Sequence, residues 1–186
     1  MSTAIVVAVI AGAVSAVGWV VNYVLATRTE KRRVRLQARL SHVERQLERL
    51  YGPLVFLIHE GRPAFDDLLR TLGRGVVFDR RLSATELELW LFWVDNEFMP
   101  RNAAIQTLLS SQTHLMVGTK MPESYMVFLD HYNSWRISHL RWQREKVPYE
   151  WHSRINWPQG FGDEVISTFQ DLKREHARLI GMVTKP

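Results

Sequence analysis

Apolar side chains follow three successive patterns along this 186-residue chain. Residues 4–26 are almost wholly apolar or small, residues 28–51 are highly charged, and the remainder consists of amphipathic segments separated by turn signals. A helix rises about 1.5 Å per residue, so the first segment covers roughly 30 Å, the hydrocarbon thickness of a bilayer. The pattern therefore predicts an all-α protein with a single N-terminal transmembrane helix and a helical domain held at the membrane surface.

A cleaved signal peptide is the alternative interpretation of the apolar segment. Only Met1, Ser2 and Thr3 precede it, so it has no basic n-region, and the segment is longer than a typical h-region. We therefore expect an uncleaved anchor over residues 1–27. Basic residues follow this segment and none precedes it, which predicts an inner-membrane protein with its body in the cytoplasm. The absence of cysteine agrees with a cytoplasmic domain.

Small residues recur within the apolar segment and form two ridges on the predicted helix. Ridges of small side chains let helices approach closely in lipid, where packing and interhelical hydrogen bonds replace the hydrophobic drive. The simpler interpretation is that Ala and Gly are common in membrane helices. We expect these ridges to bring copies of the chain together as a homo-oligomer. The predicted oligomer or pore face consists of Ala8, Gly12, Ser15, Ala16, Gly18 and Asn22.

A second apolar repeat lies in the juxtamembrane segment, residues 28–52, and just beyond it. Its members are spaced alternately four and three residues apart, and they are Leu36, Leu40, Val43, Leu47, Leu50 and Leu54. This spacing is typical of a heptad seam that pairs helices. Packing of one helix against its own domain is an equally good interpretation, because the seam is short. In both cases the span and the seam are predicted to form one continuous helix that ends at Gly52-Pro53.

Positive charge is concentrated next to the apolar segment. Residues 28–49 contain eight Lys or Arg and three Glu, a surplus of five, and the whole chain also carries +5, so the remainder is neutral. Anionic lipid headgroups explain a juxtamembrane basic cluster of this kind. Nucleic-acid binding is the weaker interpretation, since the body carries no net positive charge to attract a phosphate backbone. The predicted headgroup-binding residues are Arg28, Lys31, Arg32, Arg33 and Arg35.

Helical signals dominate residues 53–186, which we expect to form one compact helical cytoplasmic domain. A first helix is predicted as far as residue 72, interrupted around Gly61-Arg62-Pro63, because Gly and Pro disfavour a helix interior. No alternating strand pattern, internal repeat or low-complexity segment is present in the sequence.

The later helices are marked by their first turns. Ser83 and Glu86 have the spacing of a capping box, and Pro100 is predicted to kink or split the helix that they open. An acidic residue directly after Pro122 is typical of a helix first turn. The last helix is predicted to open at Asp163 or a neighbour.

Seven histidines raise the question of a metal site. The candidates are His131, His139 and His152. His131 and His139 are eight residues apart, a little over two helical turns, so one helix cannot offer both to one ion. The chain has neither a His-Glu-x-x-His nor a Glu-x-x-His spacing, and it has no cysteine. We therefore expect no metal and no cofactor.

Catalytic motifs are missing from the sequence as well. There is no Gly-x-Ser-x-Gly elbow, no Gly-rich phosphate loop and no cysteine nucleophile, so we predict that the protein is not an enzyme. Small helical ribonuclease domains use an Arg followed closely by a His. Arg35 and His42 fit this spacing but lie on the juxtamembrane helix, and Arg101-Asn102 begins such a motif without a His in range.

A cluster of tryptophans and tyrosines lies between positions 135 and 157. They are Trp135, Trp142, Tyr149, Trp151 and Trp157. Trp and Tyr are enriched in interface hot spots and at membrane surfaces. Core packing explains several of them equally well, because a small helical domain needs large side chains to fill its centre. The loop 149–157 is a predicted surface for a protein partner, with Tyr149, Trp151 and Trp157 as its contacts.

Three short motifs carry a resemblance over nearly the whole chain. They are Tyr51-Gly52-Pro53-Leu54, Met121-Pro122-Glu123-Ser124 and Phe128-Leu129-Asp130-His131. With them the chain looks like a group of uncharacterised, N-terminally anchored bacterial helical proteins. In layout it also resembles the pore-forming membrane accessory protein of type VI-B CRISPR systems. That resemblance implies a ring-shaped pore with helical cytoplasmic domains, although the Arg-to-His motif of that family is missing from the body of this chain.

Together these patterns predict a single-pass, homo-oligomeric helical protein that acts as a membrane pore or as a scaffold on the cytoplasmic face. The alternative is a membrane-tethered phage-defence effector or a nuclease-like enzyme with a helical domain. A pore requires a high-order ring, a scaffold requires a partner, and an enzyme requires a buried polar site.

Overall fold

The computed structural model describes residues 3–78, 81–145 and 156–184. Within the first helix, the side chains of residues 4–11 and 13–15 lie outside this description. The described residues form helices and turns without any strand, which confirms the predicted all-α class.

The chain divides into two compact units. Unit 1 comprises Met1–His42 and His176–Pro186, and unit 2 comprises Val43–Glu175. Helices α1 (Thr3–Gln46) and α6 (Phe161–Val183) contribute residues to both units. The predicted boundaries at residues 27 and 52 remain a prediction.

Helix α1 does not end at the Gly-Pro pair, so that prediction is wrong. A π-helical turn, Leu47–Tyr51, follows α1 and leads directly into α2 (Gly52–Leu72). Pro53 lies in the first turn of α2, where its fixed φ suits a helix. A Cβ on Gly52 would lie 2.6 Å from the carbonyl oxygen of Leu47, so this wide turn requires glycine.

The predicted interruption of α2 is also wrong, because the helix continues through Pro63. A proline inside a helix removes the hydrogen bond to the carbonyl four residues earlier, which belongs here to His59. His59 is exposed, so water can satisfy that carbonyl group. The helix ends instead at Gly73, whose φ of 64° is the left-handed conformation that favours glycine.

Helix α3 (Ala84–Trp93) begins with the predicted capping box. The backbone N–H of Glu86 donates to the Ser83 hydroxyl over 3.3 Å, and the Ser83 N–H donates to the Glu86 carboxylate over 2.8 Å. Arg74 also contacts this carboxylate, at 2.6 Å. The Ser83 N–H and the Arg74 guanidinium together lower the pKa of Glu86 to about 2.

The remaining helices are α4 (Met99–Ser111) and α5 (Glu123–Glu145), with α6 after them. The helix that was predicted to kink or split at Pro100 changes to a π-helical turn at Val94–Phe98, between α3 and α4. Pro100 lies in the first turn of α4. Helix α5 begins directly after Pro122, as predicted.

Aromatic side chains fill the core of unit 2. Trp90 of α3 lies at its centre, with ring centroids 5.2 Å from Phe78 and 6.0 Å from Trp135. A second stack joins α5 to α6, where the rings of Phe128 and Phe161 are nearly parallel at 4.8 Å. Trp135 is therefore a core residue, so the core-packing interpretation applies to this member of the aromatic cluster.

The later part of the heptad seam packs within its own domain. Val43, Leu50 and Leu54 are buried in unit 2, whereas Leu36 and Leu40 of unit 1 are half-buried. Packing against the domain is thus the interpretation that holds for the end of the seam.

Two buried polar side chains attach the connection between α4 and α5 to the start of unit 2. The Gln46 side-chain amide donates to the carbonyl oxygen of Leu115 over 2.8 Å. The hydroxyl of Tyr51 accepts from the N–H of Val117 over 2.9 Å and hydrogen-bonds with Tyr125. Burial raises the pKa of both tyrosine hydroxyls.

Candidate functional site

The described part of the predicted span is an exposed apolar surface. Between residues 16 and 25 every side chain of α1 is exposed, including Trp19 at 70 %. The rings of Trp19 and Tyr23 stack at 5.7 Å on one side of this segment. Within the described side chains, none of the helices offers a stretch of sufficient length and apolarity to cross a membrane.

The predicted oligomer face is described in part. Gly12, Ala16, Gly18 and Asn22 are exposed on α1, and the side chains of Ala8 and Ser15 lie outside the described residues. A Cβ on Gly12 or Gly18 would meet no atom within 4 Å. Nothing in the described chain therefore requires glycine at these two positions.

Basic side chains of α1 line a groove in unit 1. The lining residues are Arg28, Lys31, Arg32, Arg35, Leu36 and Arg39. Their spacing of three and four residues places them on one face of the helix. Arg33, a member of the predicted headgroup-binding set, is not among them, and Arg39 is an addition that the sequence did not single out.

Unit 2 contains a cavity of about 820 Å³, which we call the aromatic cavity. Helices α2, α3, α4, α5 and α6 all contribute to its lining, together with the segment that precedes α6. Five of its lining side chains are almost fully buried, and they are Trp90, Phe98, Asn102, His131 and Trp135. The mouth of the cavity carries exposed polar residues, among them His59, Arg62, Asp66, Asn156, Gln159 and Asp163.

Arg101 provides a positive charge in the wall of the aromatic cavity. Its side chain is only 10 % exposed and forms an ion pair with Glu97, one helical turn earlier. The guanidinium carbon lies 5.8 Å from the centre of the Phe98 ring, within cation–π range. A Cβ on Gly61 would lie 2.9 Å from Nη1 of Arg101, so the absence of a side chain on α2 leaves room for this guanidinium.

The predicted partner surface is only partly described. Tyr149 and Trp151 lie outside the described residues, and Trp157 is 42 % exposed at the aromatic cavity. Its ring contacts Phe128 and His131 at centroid distances of 5.5 and 5.8 Å. Trp157 is therefore partly a packing residue, and its exposed part is available to a ligand or a partner.

The candidate metal ligands are separated by the fold. His131 lines the aromatic cavity, His139 contacts Asp95 at 2.7 Å, and His152 lies outside the described residues. Across residues 3–78, 81–145 and 156–184, no group of three His, Asp or Glu side chains is arranged to hold a metal ion.

The aromatic cavity was not predicted, because its buried residues come from α3, the π-helical turn Val94–Phe98, α4 and α5. Two local signals were present in the sequence. Arg101 and Asn102 are adjacent, and His131 and Trp135 are one helical turn apart, which places them on the same face of α5. Neither signal indicates which helices pack together.

The fold and the cavity define an all-α protein with an exposed apolar helix and a cavity-bearing helical unit. No protein-family model, curated protein or solved structure matches the chain.

Proposed function

We propose that the protein is a single-pass, self-associating scaffold that holds unit 2 at the cytoplasmic face of the inner membrane. The observation that carries this proposal is the exposure of apolar side chains along α1. Val17, Trp19 and Leu25 are each more than half exposed, and they lie on different sides of the helix. An apolar surface that surrounds a helix requires an apolar environment, and lipid supplies one.

Self-association is the second part of the proposal. Glycine inside a helix costs roughly 0.5–1 kcal/mol relative to alanine. A Cβ on Gly12 or Gly18 would meet nothing within 4 Å, so no close contact within the described chain offsets the cost of these two glycines. Close approach of a second copy of α1 would explain both glycines, because small residues let helix backbones pack together in lipid.

The basic groove supports the proposed orientation. Arg28, Lys31 and Arg32 lie directly after the apolar segment and line the same groove, which is suited to the phosphate groups of anionic lipids. Positive residues stay on the cytoplasmic side, so unit 2 would be cytoplasmic. A reporter fused after Pro186 should then be active in the cytoplasm.

Alkaline extraction of membranes tests the anchor. Val17→Arg should release a measurable fraction of the protein, because an arginine within a membrane helix costs about 2.5–3.5 kcal/mol. Val34→Arg is the matched control, since Val34 is similarly exposed, 54 % against 63 %, but lies beyond the proposed span. Complete extraction of the unsubstituted protein at alkaline pH would overturn the anchor.

Mass measurement of the detergent-solubilised full chain tests self-association. Gly12→Leu and Ala16→Leu should lower the oligomer mass while unit 2 stays folded, because bulk on a close-packed ridge forces the helices apart. Val17→Phe adds four carbon atoms, as Gly12→Leu does, but on the side of α1 opposite the predicted oligomer face, so it should leave the mass unchanged. A monomeric unsubstituted protein would contradict both self-association and the pore.

The pore and the nuclease-like effector remain alternatives. A closed ring of high order would favour the pore, in keeping with the resemblance to the type VI-B accessory protein. Degradation of RNA by the purified chain, lost in His42→Ala, would favour the nuclease. The scaffold differs from both because it conducts no ions, cleaves no RNA and requires a partner.

A further inference from the structure

We propose that the aromatic cavity of unit 2 binds a planar heteroaromatic anion, a flat nitrogen-containing ring that carries a phosphate or carboxylate group. The inference concerns unit 2 alone and does not depend on the membrane scaffold. The ring contacts the aromatic wall, its polar edge meets Asn102 and His131, and its anionic group meets Arg101.

The size of the cavity fits a small molecule. Its volume of about 820 Å³ lies within the roughly 300–1,000 Å³ that small-molecule sites occupy. Sites of this kind are largely apolar and contain a few converging polar groups that fix the orientation of the ligand. The aromatic cavity has this composition, with buried aromatic rings beside one amide, one imidazole and one guanidinium.

The aromatic wall favours a flat ring. Trp90, Phe98 and Trp135 form the buried wall, and Trp157 stands half-exposed at the mouth. Aromatic faces and edges attract one another at centroid separations of about 4.5–7 Å, so a planar ligand gains contact with several of these side chains at once. A linear aliphatic ligand would fill the same volume without this electrostatic gain.

The buried amide of Asn102 indicates a ligand with a hydrogen-bonding edge. Asn102 is only 3 % exposed and lines the cavity, yet across the described residues its side chain has no hydrogen-bond partner. A primary amide both donates and accepts hydrogen bonds, so this side chain can bind the polar edge of a ligand that enters the cavity. The edge of a nucleobase presents a donor and an acceptor side by side, which matches both, whereas the edge of an indole presents one N–H donor to the amide oxygen.

The placement of charge favours an anion. Arg101 is almost buried in the wall, whereas the carboxylates of Asp66 and Asp163 are exposed at the mouth, where water screens them. A guanidinium has five N–H donors, and among the described residues Glu97 is its hydrogen-bond acceptor. Further donors therefore remain for a phosphate or a carboxylate, which arginine can bind in a bidentate manner.

Binding to the detergent-solubilised full chain tests the proposal, with titration calorimetry and tryptophan fluorescence as readouts. The heteroaromatic anions are AMP, UMP and indole-3-acetate, and the matched probes are adenosine, which lacks the anion, and inorganic phosphate, which lacks the ring. At least one heteroaromatic anion should bind at least tenfold more tightly than both matched probes. Tight AMP or UMP with weak indole-3-acetate identifies a nucleotide site, and the reverse identifies an aromatic carboxylate site.

Variants of the wall assign the binding to this cavity. Arg101→Gln and Asn102→Leu should each weaken the tightest probe at least tenfold, because each removes a hydrogen bond made in a buried site. Gly61→Ala should weaken it without loss of folding, since the added methyl group meets only the movable end of the Arg101 side chain. Arg141→Gln is the control, because Arg141 has the same spacing to its carboxylate partner but is 63 % exposed.

The proposal fails if none of the heteroaromatic anions binds saturably. It also fails if adenosine or phosphate binds as tightly as they do, or if affinity is unchanged in both Arg101→Gln and Gly61→Ala while the variants remain folded.

Discussion

Trp19 and Trp90 belong to the same chain and have opposite environments. Trp19, in unit 1, is 70 % exposed, whereas Trp90, in unit 2, is 1 % exposed. Valines show the same contrast, since Val17 is 63 % exposed and Val94 is fully buried. The apolar character of a residue therefore does not show whether its side chain is buried in the core or exposed on the surface.

The difference has an energetic consequence. Full burial of a large apolar side chain contributes about 1.5–3 kcal/mol to folding. The core residues of unit 2 obtain this contribution from their own chain. In the proposed scaffold, lipid or another helix would cover the exposed residues of α1, so they would stabilise the assembly and not the fold of the single chain.

Substitution of the two tryptophans should produce the largest difference between the units. Trp90→Ala should lower the free energy of unfolding by about 3–5 kcal/mol, because it leaves a cavity where Phe78 and Trp135 now contact the indole. Trp19→Ala should leave it nearly unchanged. Denaturant unfolding of the full chain, followed by circular dichroism, measures both. Equal losses in the two variants would show that the exposed helix contributes to the same folding transition as the core.

Two glutamines of α1 provide a smaller version of the comparison. Gln46 is 4 % exposed and donates to the carbonyl of Leu115 over 2.8 Å, whereas Gln37 is exposed. Gln46→Ala should cost about 1–3 kcal/mol, because it leaves the Leu115 carbonyl buried without that donor. Gln37→Ala, in the same helix, should cost almost nothing. Unfolding curves of the two variants measure the difference, and a neutral Gln46→Ala would mean that water replaces the amide.

Local signals in the sequence predicted much of the fold. The capping box at Ser83, the start of α5 after Pro122 and the continuity of α1 through the charged segment all follow from hydrogen-bonding and spacing rules that act within a few residues. The failures at Gly52 and Pro63 have different causes. At Gly52 the missing Cβ lets a π-helical turn close on the carbonyl of Leu47, so the chain continues into α2. At Pro63 solvent can satisfy the carbonyl that loses its hydrogen bond, which a local rule does not include.

The aromatic cavity could not be predicted in the same way. Asn102 and His131 are 29 residues apart in the sequence, and they share a cavity only because α4 packs beside α5. An Arg-to-His motif is defined by sequence neighbours, whereas Arg101 and His131 line one cavity although they lie 30 residues apart. Arg101-Asn102 begins such a motif in the sequence, but the buried surroundings of Arg101 include other helices and are not predictable from its neighbours in the chain.

The smallest expected effect concerns charge, where covered and exposed side chains again differ. Arg74 is 3 % exposed and binds Glu86, whereas Arg141 and Glu145 form an exposed pair at 63 % and 48 %. The folded-state pKa of Glu86 is about 2, below its ordinary value of 4.5. A lowered pKa stabilises the fold above pH 4.5, and this stabilisation is lost as the pH falls from 4.5 through about 2.

Glu86→Gln should therefore flatten the dependence of unfolding free energy on pH between 4.5 and about 2. Arg141 also lowers the pKa of Glu145, so Glu145→Gln should act in the same direction. Its effect should be weaker, because solvent screens an exposed pair. Denaturant unfolding at several pH values, with both variants compared with the unsubstituted chain, measures the two slopes. The contradicting outcome is that Glu145→Gln flattens the pH dependence of the unfolding free energy as much as Glu86→Gln does. The Arg74–Glu86 pair would then stabilise the fold no more than the exposed Arg141–Glu145 pair. In that case the contrast between buried and exposed side chains would hold for apolar groups alone.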